Sequence, residues 1–331
     1  MSSSAGNFVR HNRAAIVLAG GDGTRLRSLT KFIVGCEIPK QFCSVAGEQT
    51  LLEDTLERTA LGVPRDNTVV VVNREHRPYY MPLVAGLEPR QVVEQPCNRG
   101  TAPAIFYGIR RLMDLDCEAT VAIFPSDHFV GNDEAFMRQV QSAFEAVDEF
   151  PNLCVVLGIQ PRSAETSYGW IEPAEQISFD RPELFRVNRF REKPDAATAR
   201  RLFQTGCLWN SFILVASVRV LYSMVAEFAP DLFCTFNAEL AASRSGVRAS
   251  AAMGSAIDRI YDKIRTLGFS EQVLAQCPPN LAVLRTDDLN WSDLGEPARV
   301  LEAVASMNLK PRWLEDFVNA TGKTSRMSPE A

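Results

Sequence analysis

The stretch Ala14-Ala15-Ile16-Val17-Leu18-Ala19-Gly20-Gly21-Asp22-Gly23-Thr24-Arg25-Leu26 joins an apolar run to a glycine-dense turn and an arginine. Glycines suit a turn whose backbone N–H groups are approached by a bulky anion, and the planar fork of an arginine binds that anion's oxygens. This is the chemistry of a phosphate or nucleotide cradle, with Leu18, Ala19, Gly20, Gly21, Gly23, Thr24 and Arg25 as its residues. An ordinary strand-to-helix turn has the same composition. Two common phosphate loops do not fit: the Gly-x4-Gly-Lys-[Ser/Thr] spacing is missing, and Leu26 stands where a third glycine would fall when counting from Gly21.

Pro39-Lys40-Gln41-Phe42 follows, and the two segments together resemble the signature of sugar-1-phosphate nucleotidyltransferases. Gln41-Phe42 is most similar to the mannose-1-phosphate guanylyltransferase branch. Five further segments extend the resemblance, in the family's order, over most of residues 14–305. The segment from Gln95 through Arg99, Thr101 and Ala102 to Pro103 is similar to one that contacts the nucleotide. Pro125-Ser126-Asp127-His128 is similar to a turn whose aspartate holds Mg2+. Glu192-Lys193-Pro194 matches a motif whose lysine grips the sugar phosphate, and Trp209-Asn210-Ser211 resembles part of the sugar pocket. Trp291-Ser292-Asp293-Leu294-Gly295 resembles the segment that gives the second metal-binding aspartate. Tyr168, Gly169, Glu172 and Asn210 are the further expectations for the sugar pocket, Glu172 and Asn210 as hydroxyl partners.

The reaction that the resemblance implies asks for these residue types. A sugar 1-phosphate attacking the α-phosphorus of an NTP brings two polyanions together, so cations must crowd the site. Arg25 is expected on the triphosphate, Lys40 on the reacting phosphates and Lys193 on the nucleophile; these three are the catalytic expectation. Mg2+ takes one or two carboxylates beside substrate phosphates, a demand that Asp127 and Asp293 fit. No general base is needed, because a phosphate monoester with a second pKa of about 6 is mostly dianionic at neutral pH. His128 is therefore read as a turn residue.

Each residue also has a plain structural reading. Asp127 alone could cap a helix, Lys40 and Lys193 could be solvated loop charges, and Trp170, Trp209 and Trp291 could be core residues with satisfied indole N–H groups. The order of the motifs favours the functional set. Three departures bear on base and sugar choice: Phe212 follows Asn210-Ser211 where relatives have glycine, Gly100 replaces an asparagine, and Lys31–Ile38 reads as an insertion. Thymidylyl-, adenylyl- or uridylyltransferases and a non-catalytic nucleotide-sugar sensor are the rival readings. A nicotinamide dehydrogenase lacks its fingerprint.

Elements must deliver these residues to one place. Apolar, β-branched runs at 14–20, 68–73, 91–95, 120–125 and 153–160 alternate with helical periodicity at 50–61, 102–115 and 133–149. The alternation predicts an α/β fold, a Rossmann-like, mostly parallel sheet flanked by helices, with ligands beyond the carboxyl ends of its strands. The resemblance makes it a nucleotide-diphospho-sugar transferase fold with an embedded sugar-binding lobe and no C-terminal β-helix. Residues 1–13 read as a flexible leader, 14–160 as a nucleotide-binding half, 161–307 as a sugar-binding half and 308–331 as a short tail, disordered from Thr321 on. Asp195 is the expected cap of a helix over 195–205.

The chain has 331 residues, of which 46% are hydrophobic and 23% charged, and a net charge of −5 with no basic stripe, which excludes an extended nucleic-acid footprint. Its eight cysteines lack Cys-x-x-Cys spacing and read as reduced thiols of a cytoplasmic protein. No window reaches the length of a membrane span. The expected partners are an NTP, a sugar 1-phosphate and a second copy of the chain in a homodimer.

Overall fold

The computed structural model describes residues 12–244, 249–276, 278–286 and 289–321. The first half runs β1 (Arg13–Ala19), α1 (Arg27–Val34), α2 (Leu51–Ala60), β2 (Thr68–Asn73), α3 (Arg77–Tyr80), β3 (Val92–Gln95), α4 (Thr101–Leu115), β4 (Thr120–Pro125), α5 (Asp133–Glu149) and β5 (Cys154–Ile159). The second runs β6 (Gly169–Ser178), β7 (Arg181–Glu192), α6 (Ala196–Gln204), β8 (Leu208–Ser217), α7 (Val218–Phe228), α8 (Pro230–Arg244), α9 (Ala249–Lys263), α10 (Phe269–Gln272), β9 (Leu281–Thr286), α11 (Pro297–Ser306) and α12 (Leu314–Thr321). The strands and helices expected in the first half coincide with β1–β5, α2, α4 and α5 to within one residue at each end.

The strands form one nine-stranded sheet in the order β3-β2-β1-β4-β8-β5-β9-β7-β6. β1 pairs in parallel with β2 and β4, and β2 with β3, because helical crossovers return the chain to the same edge each time. The second half adds antiparallel strands to this set, while β9 runs parallel to β5. β8 inserts antiparallel between β4 and β5, and β6–β7 is a hairpin with antiparallel pairing along the far edge. The sheet is therefore mixed.

Strand alternation divides the apolar residues between two cores. In β1, Ala15, Val17 and Ala19 face Leu51 and Leu52 of α2, Phe136 and Val140 of α5 and Val300 of α11. Ala14 and Ile16 face Ile105 and Phe106 of α4, Leu221 of α7, Phe236 of α8 and Ile260 of α9. Burial on both faces explains why β1, β2, β4 and β5 read as continuous apolar runs. Side-chain caps start several helices: Thr50 and Glu53 form a capping box on α2, Asn132 accepts from Ala135, and Asp195 accepts from Thr198 as expected.

Expectations at the ends are corrected. Arg13 is the first residue of β1, paired with Thr120, and not part of a leader. Residues 308–321 are also no tail. Trp313 is buried and donates its indole N–H to the Val45 carbonyl at 3.0 Å, and Phe317 of α12 packs edge-on against Trp313 and Phe32. The insertion-like Lys31–Ile38 is the end of α1 and the loop after it, to which Phe32 brings α12. The expectations for residues 1–11 and 322–331 lie outside the described residues. Of the seven cysteines among the described residues, all are free; Cys43, Cys154 and Cys207 are buried, while Cys36, Cys117 and Cys234 are exposed.

Candidate active site

The glycine turn leaves β1 with its carbonyl oxygens tied inward. Gln41 donates Nε2 to the carbonyls of Ala19 and Gly21 at 3.2 and 2.7 Å, and Asn73 donates Nδ2 to that of Gly20 at 2.6 Å. In a trans peptide the N–H points opposite the carbonyl, so the N–H groups of Gly20, Gly21 and Asp22 are turned the other way. Gly23 has φ +56°, and a Cβ there would stand 2.9 Å from the Lys40 nitrogen. Only glycine lets the turn close on Pro39-Lys40. Leu18 and Gly21 line an open cleft of about 450 Å³. Thr24 and Arg25 are exposed, and Arg25 has no hydrogen bond or ion pair among the described residues.

Thr30 accepts from and donates to the Ile38 backbone, fixing the loop that delivers Lys40. Lys40 is only 6% exposed. Its Nζ donates to the carbonyls of Asp293 and Leu294 and lies 3.3 Å from Asp127 Oδ2. Lys40, expected on the reacting phosphates, ties the two acidic turns together. A short antiparallel bridge between Phe129 and Ser292, with N–H···O distances of 2.8 and 3.0 Å in the two directions, fastens the same turns. The turns that carry Asp127 and Asp293, distant in sequence, are thus held side by side.

Asp293 Oδ1 accepts from Arg299 at 2.7 Å, the Gly295 N–H at 2.8 Å and the Tyr168 hydroxyl at 3.2 Å. Burial pushes its pKa up, but Arg299, His128 and Lys40 outweigh burial and hold it below the usual carboxylate value. Burial pushes the Tyr168 phenol up, so it stays protonated and donates. Burial likewise lowers His128 against the pull of Asp127, which keeps the imidazole neutral as expected of a turn residue.

On the other wall of the cleft are Glu192, Lys193 and Phe212. Glu192 Oε1 pairs with Lys193 Nζ at 3.1 Å, whereas Oε2 is buried with no hydrogen-bond partner among the described residues. Gly169 packs against this oxygen and against Asn210. Asn210 spends its amide on the Phe212 N–H at 2.9 Å and on Ser270 Oγ at 3.4 Å. Lys193 (φ +44°), Phe212 (φ +60°) and Leu294 (φ +47°) all take left-handed backbone, a concentration of strain at one site. Glu172 is a correction. It accepts from Asn188 Nδ2 at 2.8 Å on the exposed hairpin and does not line the cleft, because alternation along β6 puts it on the face opposite Gly169.

The 95–102 segment is more occupied than expected. Gln95 is buried, with its amide shared between Asn73 at 3.1 Å and the Tyr261 hydroxyl at 2.8 Å. Arg99 donates Nε to the Tyr261 carbonyl. Thr101 Oγ1 accepts from the Phe269 N–H at 2.7 Å, and the Ala102 N–H donates to the Leu267 carbonyl. Gly100 (φ +85°) permits this close approach, since a Cβ would run into the Leu267 carbonyl. Gly100 and Thr101 still line the cleft.

Comparison with known proteins now decides the family. The nucleotidyl transferase family matches residues 14–309. This chain belongs to that family. It is 32% identical over 294 residues, 84% of this chain and 52% of the relative, to a mannose-1-phosphate guanylyltransferase of Sinorhizobium fredii (strain NBRC 101917 / NGR234). It is 29% identical over 308 residues, 85% of this chain and 58% of the relative, to mannose-1-phosphate guanylyltransferase 2 of Escherichia coli O157:H7. The chain thus spans a little over half the length of these curated relatives. A crystal structure of "mannose-1-phosphate geranyltransferase" from Thermus thermophilus superposes with a TM-score of 0.72 at 26% identity, covering 86% of this chain and 76% of that one.

The nucleotidyl transferase resemblance implies Mg2+, and the donor set suits it. Among the described residues no three His, Cys, Asp or Glu side chains group as a complete metal cage. One part-exposed carboxylate on the cleft, Asp127, plus Oδ2 of Asp293, whose three donors all go to Oδ1, fits an ion that takes its remaining oxygens from phosphates.

Sequence reasoning missed the supporting residues. Gln41 and Asn73 orient the loop, and Arg299 holds Asp293 while bridging to Glu165 at 2.8 Å and Ser167, its guanidinium 4.3 Å from the Tyr168 ring centre. Arg299 follows Asp293 by six residues on a helix of ordinary amphipathic pattern, which carries no signal. Trp170, Trp209 and Trp291 are core residues, but of these three only the Trp170 indole is satisfied, by the Glu165 carbonyl; those of Trp209 and Trp291 have no acceptor among the described residues.

Proposed function

We propose that this protein transfers a guanylyl group from GTP to mannose 1-phosphate, giving GDP-mannose and pyrophosphate. The observation that carries the reading is the cleft itself. Leu18 and Gly21 of the glycine turn, Asp127, Glu192 and Lys193 all line it, so backbone N–H groups, a cation and two carboxylates border one space. Guanine and mannose are supported by the names of the relatives.

In this reading the turned-out N–H groups of Gly20, Gly21 and Asp22 cradle the triphosphate, and Arg25 closes over it and steadies the pyrophosphate leaving group. Lys193 orients the sugar phosphate, whose own dianion is the nucleophile, and Glu192 accepts a sugar hydroxyl. Lys40 holds the Asp127 and Asp293 turns together against their mutual repulsion. Mg2+, held by Asp127 and Asp293, would supply neutralising charge to the phosphates when bound. Displacement is in line at the α-phosphorus, without a covalent intermediate.

The test offers GTP, ATP, UTP and dTTP in turn with mannose 1-phosphate or glucose 1-phosphate and Mg2+, and follows pyrophosphate. GTP with mannose 1-phosphate should be the fastest pair. Another fastest pair would overturn the substrate assignment, and no pyrophosphate from any pair would overturn the reading.

A further inference from the structure

We infer that Phe212 determines which sugar 1-phosphate the cleft accepts, acting as the apolar part of the wall that also carries Glu192 and Lys193. The inference rests on the nucleotidyl-transfer reading and deepens it. β8 pairs with β5 through Leu214↔Val156 and Asn210↔Gly158, so the three residues 211–213 of β8 face Leu157 alone. Such a bulge re-aims a side chain, and bulges recur beside active sites. Phe212 sits at its tip.

Three side-chain hydrogen bonds hold the bulge. Ser211, fully buried, donates Oγ to the Leu157 carbonyl at 2.6 Å and accepts from the Ile213 N–H at 3.1 Å. Asn210 Oδ1 accepts from the Phe212 N–H at 2.9 Å. They keep Phe212 at φ +60°, a conformation that side chains with a Cβ rarely adopt and that persists where the surroundings over-determine it. Part of the residue packs on the core under α4 and α7–α9, and part lines the cleft with Glu192 and Lys193.

A phenyl ring makes no hydrogen bond to a phosphate or a hydroxyl. Against it a sugar can place only a C–H face, while a hydroxyl or bulky substituent turned toward it loses its water without a partner. Phe212 belongs to the sugar side, because its neighbour Asn210 packs with Gly169 next to Glu192. Glu192 thus serves the polar part of the sugar, and Phe212 rejects hexose 1-phosphates that present polar or bulky groups toward its ring.

The experiment measures kcat and KM of the full chain with GTP and Mg2+ for mannose 1-phosphate, glucose 1-phosphate and N-acetylglucosamine 1-phosphate, in wild type, Phe212→Gly and Phe212→Asn. Both replacements tolerate left-handed backbone. The ratio of kcat/KM between best and worst sugar should shrink about tenfold in both variants, mainly through KM of the sugar, with KM for GTP changing less than about twofold. A ratio that stays put in both variants, or an equal fall of kcat for all sugars with a lower melting temperature, would show a purely structural residue and overturn the inference while leaving the nucleotidyl-transfer reading intact. Wild type that releases no pyrophosphate with any sugar would overturn both.

Discussion

Glu192 keeps one carboxylate oxygen buried without a donor while the other pairs with Lys193. In the proposed reading Glu192, with Lys193, serves the sugar phosphate and not the nucleotide. Replacing Glu192 by Gln should lower kcat/KM for the sugar 1-phosphate about 10–100-fold, the worth of a hydrogen bond to a charged group, and leave KM for GTP nearly unchanged. Steady-state kinetics with each substrate varied would show the split, and an equal effect on both substrates would remove Glu192 from the sugar wall. His76 offers a second test at this scale. Burial lowers its pKa, and Asp22 of the glycine turn, 3.7 Å away, does not compensate. The unfolded chain then binds a proton near pH 6.5 that the folded chain refuses, so stability falls as pH drops below that value. Each such histidine contributes up to about 1.4 kcal/mol per pH unit. Urea unfolding of wild type and His76→Gln between pH 7.5 and 5.5 should show a shallower loss in the variant.

At the scale of elements, α2 and α11 carry buried charge with opposite consequences. Asp54, in the first turn of α2, is raised to about 6 by burial, which outweighs Arg58 nearby. The folded state holds a proton that the unfolded state has released between pH 3.8 and about 6, so this group costs stability as pH rises through that window. Asp54→Asn should therefore stabilise the protein at pH 7 by about 1–2 kcal/mol, read from urea unfolding, and leave it unchanged at pH 3.5. Arg299 on α11 is the reverse case. Removing it strands Asp293 and Glu165, so Arg299→Met should cost about 3 kcal/mol and Arg299→Lys less, since lysine keeps the charge but loses the fork. Equal thermal stability of the two variants would contradict the bridging role. Elements with a simple period were legible in the sequence, and the bulge in β8 and the α11 bridge were not. Phe212 could be seen to stand in an unusual place, but its aim depends on the Leu157 carbonyl across the sheet, and Arg299 matters only because of where α11 docks. Glu172 was misplaced for the same reason, since which face a strand residue takes follows from pairing that the sequence does not state.

Over the whole molecule, the site is built where unrelated segments converge at one end of the sheet. The parallel half, β1 to β4, brings the glycine turn and Asp127 to the carboxyl ends of neighbouring strands, as alternation of strand and helix predicts. The antiparallel half supplies Glu192, Lys193 and Phe212, and its mixed topology had no clear sequence signature. The turn at 291–295 arrives last and is fixed by Lys40 and by the bridge to Phe129. Trp313 and Phe317, in the segment expected to be a tail, fold back on the Val45 and Phe32 region and join the same core. No described helix is long and apolar enough to cross a membrane. The most direct test of the convergence is a crystal structure of the protein with GTP, Mg2+ and mannose 1-phosphate. It should show the triphosphate on the Gly20–Asp22 N–H groups, one cation shared by Asp127 and Asp293, and the sugar against the wall of Glu192, Lys193 and Phe212. Nucleotide bound away from the glycine turn, or a cation that touches neither aspartate, would contradict it.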